Sequence, residues 1–248
     1  MDFLNKFSLK GKTALVTGCK RGIGKGMAVA LAAAGADIIG VSASLEPKGS
    51  EVEKEVKALG RNFKGYTCDF SDRDALYDFI NKVKADFPVI DILINNAGIY
   101  NTWKPFMQSI SAEWKKKIEV NILGTMYCVS AVLPHMIENR YGRIVNIGSV
   151  AGSYGIANMA DYSMTKGGVI AFTKALAKET APYGITVNTV SPGSINVTEE
   201  ENVMPEHSFM GRAGTPEECA SVVVFLSSDE ASYVSGQDYR VDGCRKKM

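Results

Sequence analysis

"TALVTGCKRGIG", residues 13–24, decides the fold. "TALVTG" (13–18) is a short apolar run of strand character, and "GKGMAVALAAAGA" (24–36) is alanine-rich and closes on a glycine stop signal. Between them Gly18, Gly22 and Gly24 stand in a G-x3-G-x-G spacing. A strand that turns at once into a helix needs glycine at the bend. It also needs glycine where the helix N-terminus must meet a ligand without an intervening side chain. Backbone N–H groups and the helix dipole at such a junction favour a pyrophosphate. The spacing differs from the G-x-G-x-x-G dinucleotide fingerprint, and a glycine turn without a ligand is the plainer alternative.

The same alternation continues outward. "DIIGVS" (37–42), "NFKGYTCD" (62–69), "DILINNAG" (91–98), "RIVNIGS" (143–149), "ITVNTVSPG" (185–193) and "DYRVDG" (238–243) read as strands. Most are continuous apolar runs, the pattern of strands covered on both faces in a parallel sheet. Helical periodicity fills 71–87, 111–138, 160–180 and 215–228, where "TPEE" (215–218) supplies a cap, a first-turn proline and first-turn acids. The expectation is an α/β chain: one Rossmann-type, doubly wound parallel sheet of about seven strands with helices on both faces. No repeat, low-complexity tract or linker divides it, so residues 1–248 read as one domain.

The chain has 248 residues, 28 basic and 27 acidic, for a net charge of +1. Nothing in that balance points to nucleic acid or an anionic membrane as the main partner. No uninterrupted apolar run reaches membrane-span length, and "MDFLNKFSLKGK" lacks the apolar stretch of a secretion signal. Five scattered cysteines without a CxxC pair fit reduced thiols and a cytoplasmic setting. Two distant histidines and no HExxH argue against a metal centre.

"ADYSMTKGG" (160–168) puts Tyr162 four residues before Lys166, on one face of a helix. A phenol ordinarily titrates near 10; an adjacent ammonium stabilises phenolate and lowers that value toward the range useful for proton transfer to an alcohol or carbonyl oxygen. Ser149 ends the preceding strand, where strand ends line a ligand crevice. Alone, the pair reads as a solvated helix face. Asp69, after the third strand, suits either the adenine end of a dinucleotide or a helix N-cap. "NNAG" (95–98) ends the fourth strand, at a switch-point crevice or a bare turn.

Taken in order, TGxxxGxG, NNAG, Asn121 in "VNILG", Ser149, Tyr162-x3-Lys166, "SPG" (191–193) and "VDG" (241–243) resemble the short-chain dehydrogenase/reductase family over essentially the whole chain. The resemblance implies an NAD(P)-dependent oxidoreductase that interconverts a secondary alcohol and a ketone, without a metal. Tyr162 matches the acid/base, and Lys166 matches the lysine that lowers its pKa and binds the nicotinamide ribose. Ser149 matches the residue that orients the reacting oxygen. Asn121 matches an asparagine that holds a relay water, at a helix irregularity. Gly18, Gly22 and Gly24, with Ile23, match the pyrophosphate loop. Asp69, Phe70, Asn95, Ala97 and Gly98 match the adenine pocket and adjacent wall; Pro192, Gly193 and Ile195 complete the cofactor set. The cofactor half is expected mainly over 11–150 and the catalytic and substrate half mainly over 149–215.

The acid that often favours NAD is absent at the end of the second strand, where Ser42 stands. Ser42 and Ser44, with Lys20 and Arg21 in the glycine loop, are expected to favour NADP over NAD, unless the two cations are only surface charge. The segment 193–212 is short for a substrate lid and carries Glu199, Glu200 and Glu201, which as a solvated acid run would not face a ligand. Tyr154, Asn158 and Met159 are candidate substrate contacts beside Ser149 and Tyr162. Trp103 is a further candidate, or a packing residue.

The first 45 residues are similar to sugar-acid dehydrogenases of the 2-deoxy-gluconate or 2-keto-3-deoxy-gluconate type. A 3-oxoacyl-carrier-protein reductase and a hydroxysteroid dehydrogenase are the alternatives; a basic patch at the cleft favours the first, an apolar one the second. A cofactor-binding regulator on this fold typically lacks the tyrosine or lysine present here. Related enzymes are commonly homotetramers or dimers built on the long helices, here 111–138 and 160–180. The tail "CRKKM" departs from the glycine-rich ending usual after VDG.

Overall fold

The computed structural model describes residues 6–100, 103–197 and 205–246. Seven parallel strands run β1 (Thr13–Thr17), β2 (Asp37–Ser42), β3 (Phe63–Thr67), β4 (Ile92–Asn95), β5 (Gly142–Ile147), β6 (Ile185–Pro192) and β7 (Asp238–Val241), in the spatial order β3-β2-β1-β4-β5-β6-β7. The order reverses between β1 and β4, which pair directly from Ala14 opposite Ile92. That reversal opens the crevice in which such sheets hold ligands.

Alternate residues of each strand supply two cores. Ala14 and Val16 pack with α1 (Gly22–Ala33), α2 (Glu51–Ala58) and α8 (Pro216–Ser227). Leu15 and Leu93 pack with α3 (Arg73–Asp86), α5 (Gly124–Glu138) and α7 (Ala160–Thr180). Burial on both faces explains the unbroken apolar runs. Two short helices escaped the sequence reading, α2 and α6 (Val150–Tyr154). Both lie below the length at which helical periodicity is readable.

α4 (Ser111–Ile118) runs into α5 through five residues of π-helix, Glu119–Leu123. The expected irregularity at Asn121 is therefore present, and Thr125 Oγ1 donates to the Asn121 carbonyl at 3.0 Å. Where the sequence reading expected no span, Ser111–Glu138 contains an 18-residue window of mean hydropathy 1.4, enough by length and composition to cross a membrane. Its apolar residues serve the core: 44 % of that window is buried, with Cys128, Val129, Val132 and Met136 against the sheet. All five cysteines are free, and four are buried.

Candidate active site

The glycine loop is built as the spacing demands. Gly18 and Gly22 hold φ of +69° and +57°. A Cβ on Gly24 would lie 2.1 Å from the Gly18 carbonyl oxygen and 2.4 Å from Asn96 Nδ2, so the helix is drawn tightly onto the strand. Arg21 caps α1 without a side-chain hydrogen bond, leaving first-turn N–H groups for another acceptor. Ile23 packs on the core. Asn96, which the sequence reading passed over, anchors this loop: its Nδ2 donates to the Thr17 and Gly18 carbonyls at 3.0 and 3.1 Å. Ala97 N–H donates to Thr17 Oγ1 at 2.9 Å. Capless N–H groups, a cradle that tolerates no Cβ, and the switch point beside both fit a dinucleotide pyrophosphate.

Other expected cofactor residues take more varied places. Asn95 is buried, and its Nδ2 donates to Asn146 Oδ1 at 2.9 Å, so its side chain ties β4 to β5 rather than forming a wall. The Asn95 Oδ1 itself has no partner among the described residues. Asp69 is exposed and accepts from the Ser71 N–H and hydroxyl at 2.9 and 2.8 Å; the cap of α3 is Asp72, not Asp69. Phe70 is buried in the core against Phe79. Pro192 ends β6, and a Cβ on Gly193 would meet Asp242 at 2.8 Å. Ile195 packs on the core and bridges Gly214, zipping together the two ends of the lid segment. Glu199, Glu200 and Glu201 lie outside the described residues, as do Lys247 and Met248 at the end of the tail.

Around the end of β2, Lys20 N–H donates to Ser42 Oγ at 3.1 Å, and Lys20 Nζ reaches the Ser44 carbonyl at 2.5 Å and Glu46 at 2.7 Å. The acid missing from the strand end thus returns from the following loop. Lys20 holds the Glu46 carboxyl below the usual carboxylate range. Arg21 is exposed.

The reactive groups converge at the C-terminal edge of β4 and β5. Ser149 caps α6 by accepting from Ala151 N–H at 3.1 Å. Its hydroxyl also acts on the Tyr162 phenol, favouring the ionised form. Lys166 is 4 % exposed, and its Nζ donates to the Ile147 carbonyl at 2.6 Å. The ammonium lies 6.0 Å from the Tyr162 ring centroid. Asn121 accepts from Ile99 N–H at 2.8 Å and donates to the Ile99 carbonyl and Thr165 Oγ1, both at 3.0 Å, stitching the loop after β4 to α7. A Cβ on Gly98 would stand 3.4 Å from both Asn121 Oδ1 and Lys166 Nζ; glycine keeps the space between them open.

Local sequence misleads on one point. The expected lowering of the Tyr162 pKa is not present in this state. Burial pushes the phenol above its ordinary value, against the opposing hydrogen bond from Ser149, and Tyr100 adds to the rise. Burial also brings Lys166 down to about 8. Desolvation outweighs a lysine held by a backbone carbonyl.

Three further residues were not legible. Lys117 and Asp161 form an ion pair of 2.5 Å with side chains 0 % and 5 % exposed. Asp161 also accepts from Tyr162 N–H at 2.7 Å, so the pair fastens α4 to the start of the tyrosine helix. Tyr100 packs edge-on to Tyr162 with ring centroids 6.2 Å apart.

Trp103, Tyr154 and Asn158 line one cleft of about 210 Å³, together with Arg245 and Lys246. Trp103 is 58 % exposed and is not a packing residue. Met159, expected beside them, is buried and belongs to the core. Asn158 adopts the left-handed region at φ +64°. Ser149 and Tyr162 do not line this cleft; they lie at the far ends of the α6 segment and the loop that form its wall.

The family model for short chain dehydrogenases matches residues 12–207. The chain is 48 % identical over 255 residues to the 2-dehydro-3-deoxy-D-gluconate 5-dehydrogenase of Pseudoalteromonas atlantica, covering 97 % of this chain and 98 % of that one. It is 39 % identical to the 3-oxoacyl-[acyl-carrier-protein] reductase of Vibrio cholerae, over 95 % of this chain and 98 % of the relative. Among solved structures, the 3-oxoacyl-(acyl-carrier-protein) reductase of Agrobacterium tumefaciens with NADP bound superposes with a TM-score of 0.90 at 28 % identity, covering 98 % of each chain. The chain belongs to the short-chain dehydrogenase family and is an NAD(P)-dependent oxidoreductase.

Proposed function

We propose that this short-chain dehydrogenase interconverts a secondary alcohol and a ketone on a small sugar acid, with Tyr162 as the acid/base. The observation that carries this is the convergence of Ser149, Tyr162, Lys166 and Asn121 beside the switch point. The sugar-acid class is supported by the relative that is 48 % identical over nearly the whole chain. When bound, the nicotinamide cofactor donates or accepts the hydride. Gly18, Gly22 and the N–H groups at the start of α1 would hold its pyrophosphate. Residues 11–150 then serve mainly the cofactor and 149–215 mainly the substrate.

The Tyr162 hydroxyl delivers a proton to the substrate oxygen during carbonyl reduction and takes it back during oxidation. Its raised pKa keeps it in the acid form needed for reduction. Ser149, whose hydroxyl acts on the Tyr162 phenol, orients the same oxygen. Lys166 holds positive charge close by, fixed by the Ile147 carbonyl. Asn121 keeps the loop after β4 against α7, which fixes the position of Tyr162.

NADP is the proposed cofactor: β2 ends in Ser42 rather than an acid, and Arg21 is exposed at the loop. A second reading, NAD, is favoured by one observation, the Glu46 carboxylate that occupies Lys20. Comparing kcat/KM for the two cofactors decides between them. NADP preference should fall in Arg21→Ala and rise in Glu46→Gln. A higher kcat/KM with NAD(H), or a ratio unmoved by Arg21→Ala, sinks the NADP reading.

We place the enzyme in the cytoplasm, consistent with its free thiols, and expect a homo-oligomer. Exposed Met126 on α5 and Met164 on α7 support packing through the long helices. The substrate reading is tested by following nicotinamide absorbance with 2-dehydro-3-deoxy-gluconate, a 3-oxoacyl thioester and a ketosteroid. Turnover of the thioester or steroid above that of the sugar acid overturns it.

A further inference from the structure

A sugar acid carries a carboxylate that a selective site must satisfy, and the tail residues outside the catalytic machinery are cationic. We infer that Arg245 and Lys246 form the seat for the substrate carboxylate, an inference that rests on the sugar-acid reading above. Both line the cleft with Trp103, Tyr154 and Asn158, and among the described residues none that lines it is acidic.

The tail is held in place rather than trailing from β7. Phe209 N–H donates to the Cys244 carbonyl at 3.0 Å, and Met210 N–H to the Gly243 carbonyl at 3.2 Å. Lys246 N–H donates to the His207 carbonyl at 2.9 Å, and Ser208 bridges Arg245 in antiparallel fashion. Two cations therefore ride on backbone fixed to the lid.

Their charges are not otherwise used. Lys20, Lys25, Lys104 and Arg212 all meet carboxylates. Among the described residues neither Arg245 nor Lys246 has such a partner: Arg245 Nη1 reaches only Ser194 Oγ at 3.5 Å, and Lys246 Nζ lies 5.4 Å over the Phe209 ring. The acids on the adjoining surface are engaged elsewhere. Asp238 accepts from Ser191 and Ser153 hydroxyls at 2.5 and 2.9 Å, and Asp242 from Cys244 N–H at 3.1 Å. Arg240 donates to the Tyr154 hydroxyl. An arginine fork beside a lysine recognises a carboxylate by paired, charge-assisted hydrogen bonds.

The reach is suitable. α6 forms part of the cleft wall and runs from its cap Ser149, beside the reactive groups, to Tyr154 at the cleft, roughly 7 Å of helix axis, so the cleft adjoins the reactive groups on a scale a six-carbon sugar acid can bridge.

The test replaces Arg245→Gln and Lys246→Gln, singly and together, in the full-length enzyme with its cofactor. The ratio of kcat/KM for 2-dehydro-3-deoxy-gluconate to that for its neutral amide should fall about tenfold per substitution, the loss expected for one charge-assisted bond. Gluconate binding, read from Trp103 fluorescence, should weaken by a similar factor. A ratio that stays constant in the double variant overturns the seat, whether or not overall activity falls. So does unchanged gluconate affinity accompanied by loss of activity only on an acyl-carrier-protein substrate, which would assign the cations to a protein partner. If gluconate binds and the variants lose it while no sugar acid is turned over, the seat stands and the sugar-acid oxidoreductase reading fails. If sugar acids turn over and the ratio is unmoved, the reading stands and the seat fails.

Discussion

Lys117→Met should be one of the most damaging single substitutions outside the reactive groups. Lys117 is fully buried, and its ammonium lies 2.5 Å from an Asp161 carboxylate that is itself 5 % exposed. Removing the lysine strands that carboxylate in the interior, which costs about 3–5 kcal/mol. At this chain length that corresponds to a melting-temperature drop of roughly 6–20 °C. Asp161→Asn takes the neutralising carboxylate away from the fully buried ammonium, with a similar expected loss of about 3–5 kcal/mol. Asp161→Ala should lose more, because Asp161 also accepts from Tyr162 N–H at 2.7 Å.

The discriminating variant is Lys117→Met combined with Asp161→Asn. It leaves no buried charge, only an amide donor without a partner, costing about 1–3 kcal/mol. The double variant should therefore be more stable than either single one, with a coupling energy of at least about 2 kcal/mol. Urea unfolding followed by circular dichroism, at one fixed protein concentration, measures all four corners of the cycle. Additive losses, or a loss below about 1 kcal/mol for Lys117→Met, would refute the claim that the pair is a buried, mutually dependent unit.

Other outcomes follow from the same geometry. Tyr162→Phe should cut kcat by orders of magnitude with little change in cofactor affinity, whereas Lys166→Ala should damage both; a Tyr162→Phe enzyme that keeps its rate would make the pair a mere helix face. In carbonyl reduction, kcat/KM should hold steady below about pH 8 and decline above it, as Lys166 loses its proton there while Tyr162 stays protonated; a flat profile from pH 7 to 9.5 contradicts this. Because burial disfavours the Lys166 charge, the unfolded chain binds the extra proton between about 8 and 10.5, so this group's cost to stability shrinks as pH rises through that window. Gly24→Ala drives a Cβ to 2.1 Å from the Gly18 carbonyl oxygen, and fluorescence titration with NADPH should show a large loss of affinity alongside about 1–3 kcal/mol of destabilisation.

Much of the architecture was legible because each signal is local. Short apolar runs such as "DIIGVS" (37–42) suit strands buried on both faces, and the helices between them favour parallel crossovers. The glycine spacing, the i, i+4 relation of Tyr162 and Lys166, and the cap at Thr215 all lie within a few residues of chain. α2 and α6 were missed because eight and five residues carry too little periodicity.

What tertiary structure alone decided involves residues far apart in sequence or the medium around a group. Lys117 and Asp161 are 44 residues apart, and in sequence each reads as part of a solvated helix face. Glu46 reaches Lys20 only because the loop after β2 folds back over the glycine turn. Arg245 and Lys246 join Trp103 and Tyr154 through bridges to the lid that no local pattern encodes. The rise in the Tyr162 pKa is the sharpest case. Spacing puts an ammonium one helical turn away and predicts a fall, but desolvation depends on everything packed around the phenol, and here it wins. The sequence by itself determined which chemical groups are present and which elements carry them; only the folded chain set their burial and partners, because dielectric environment and long-range contacts are properties of the whole packing.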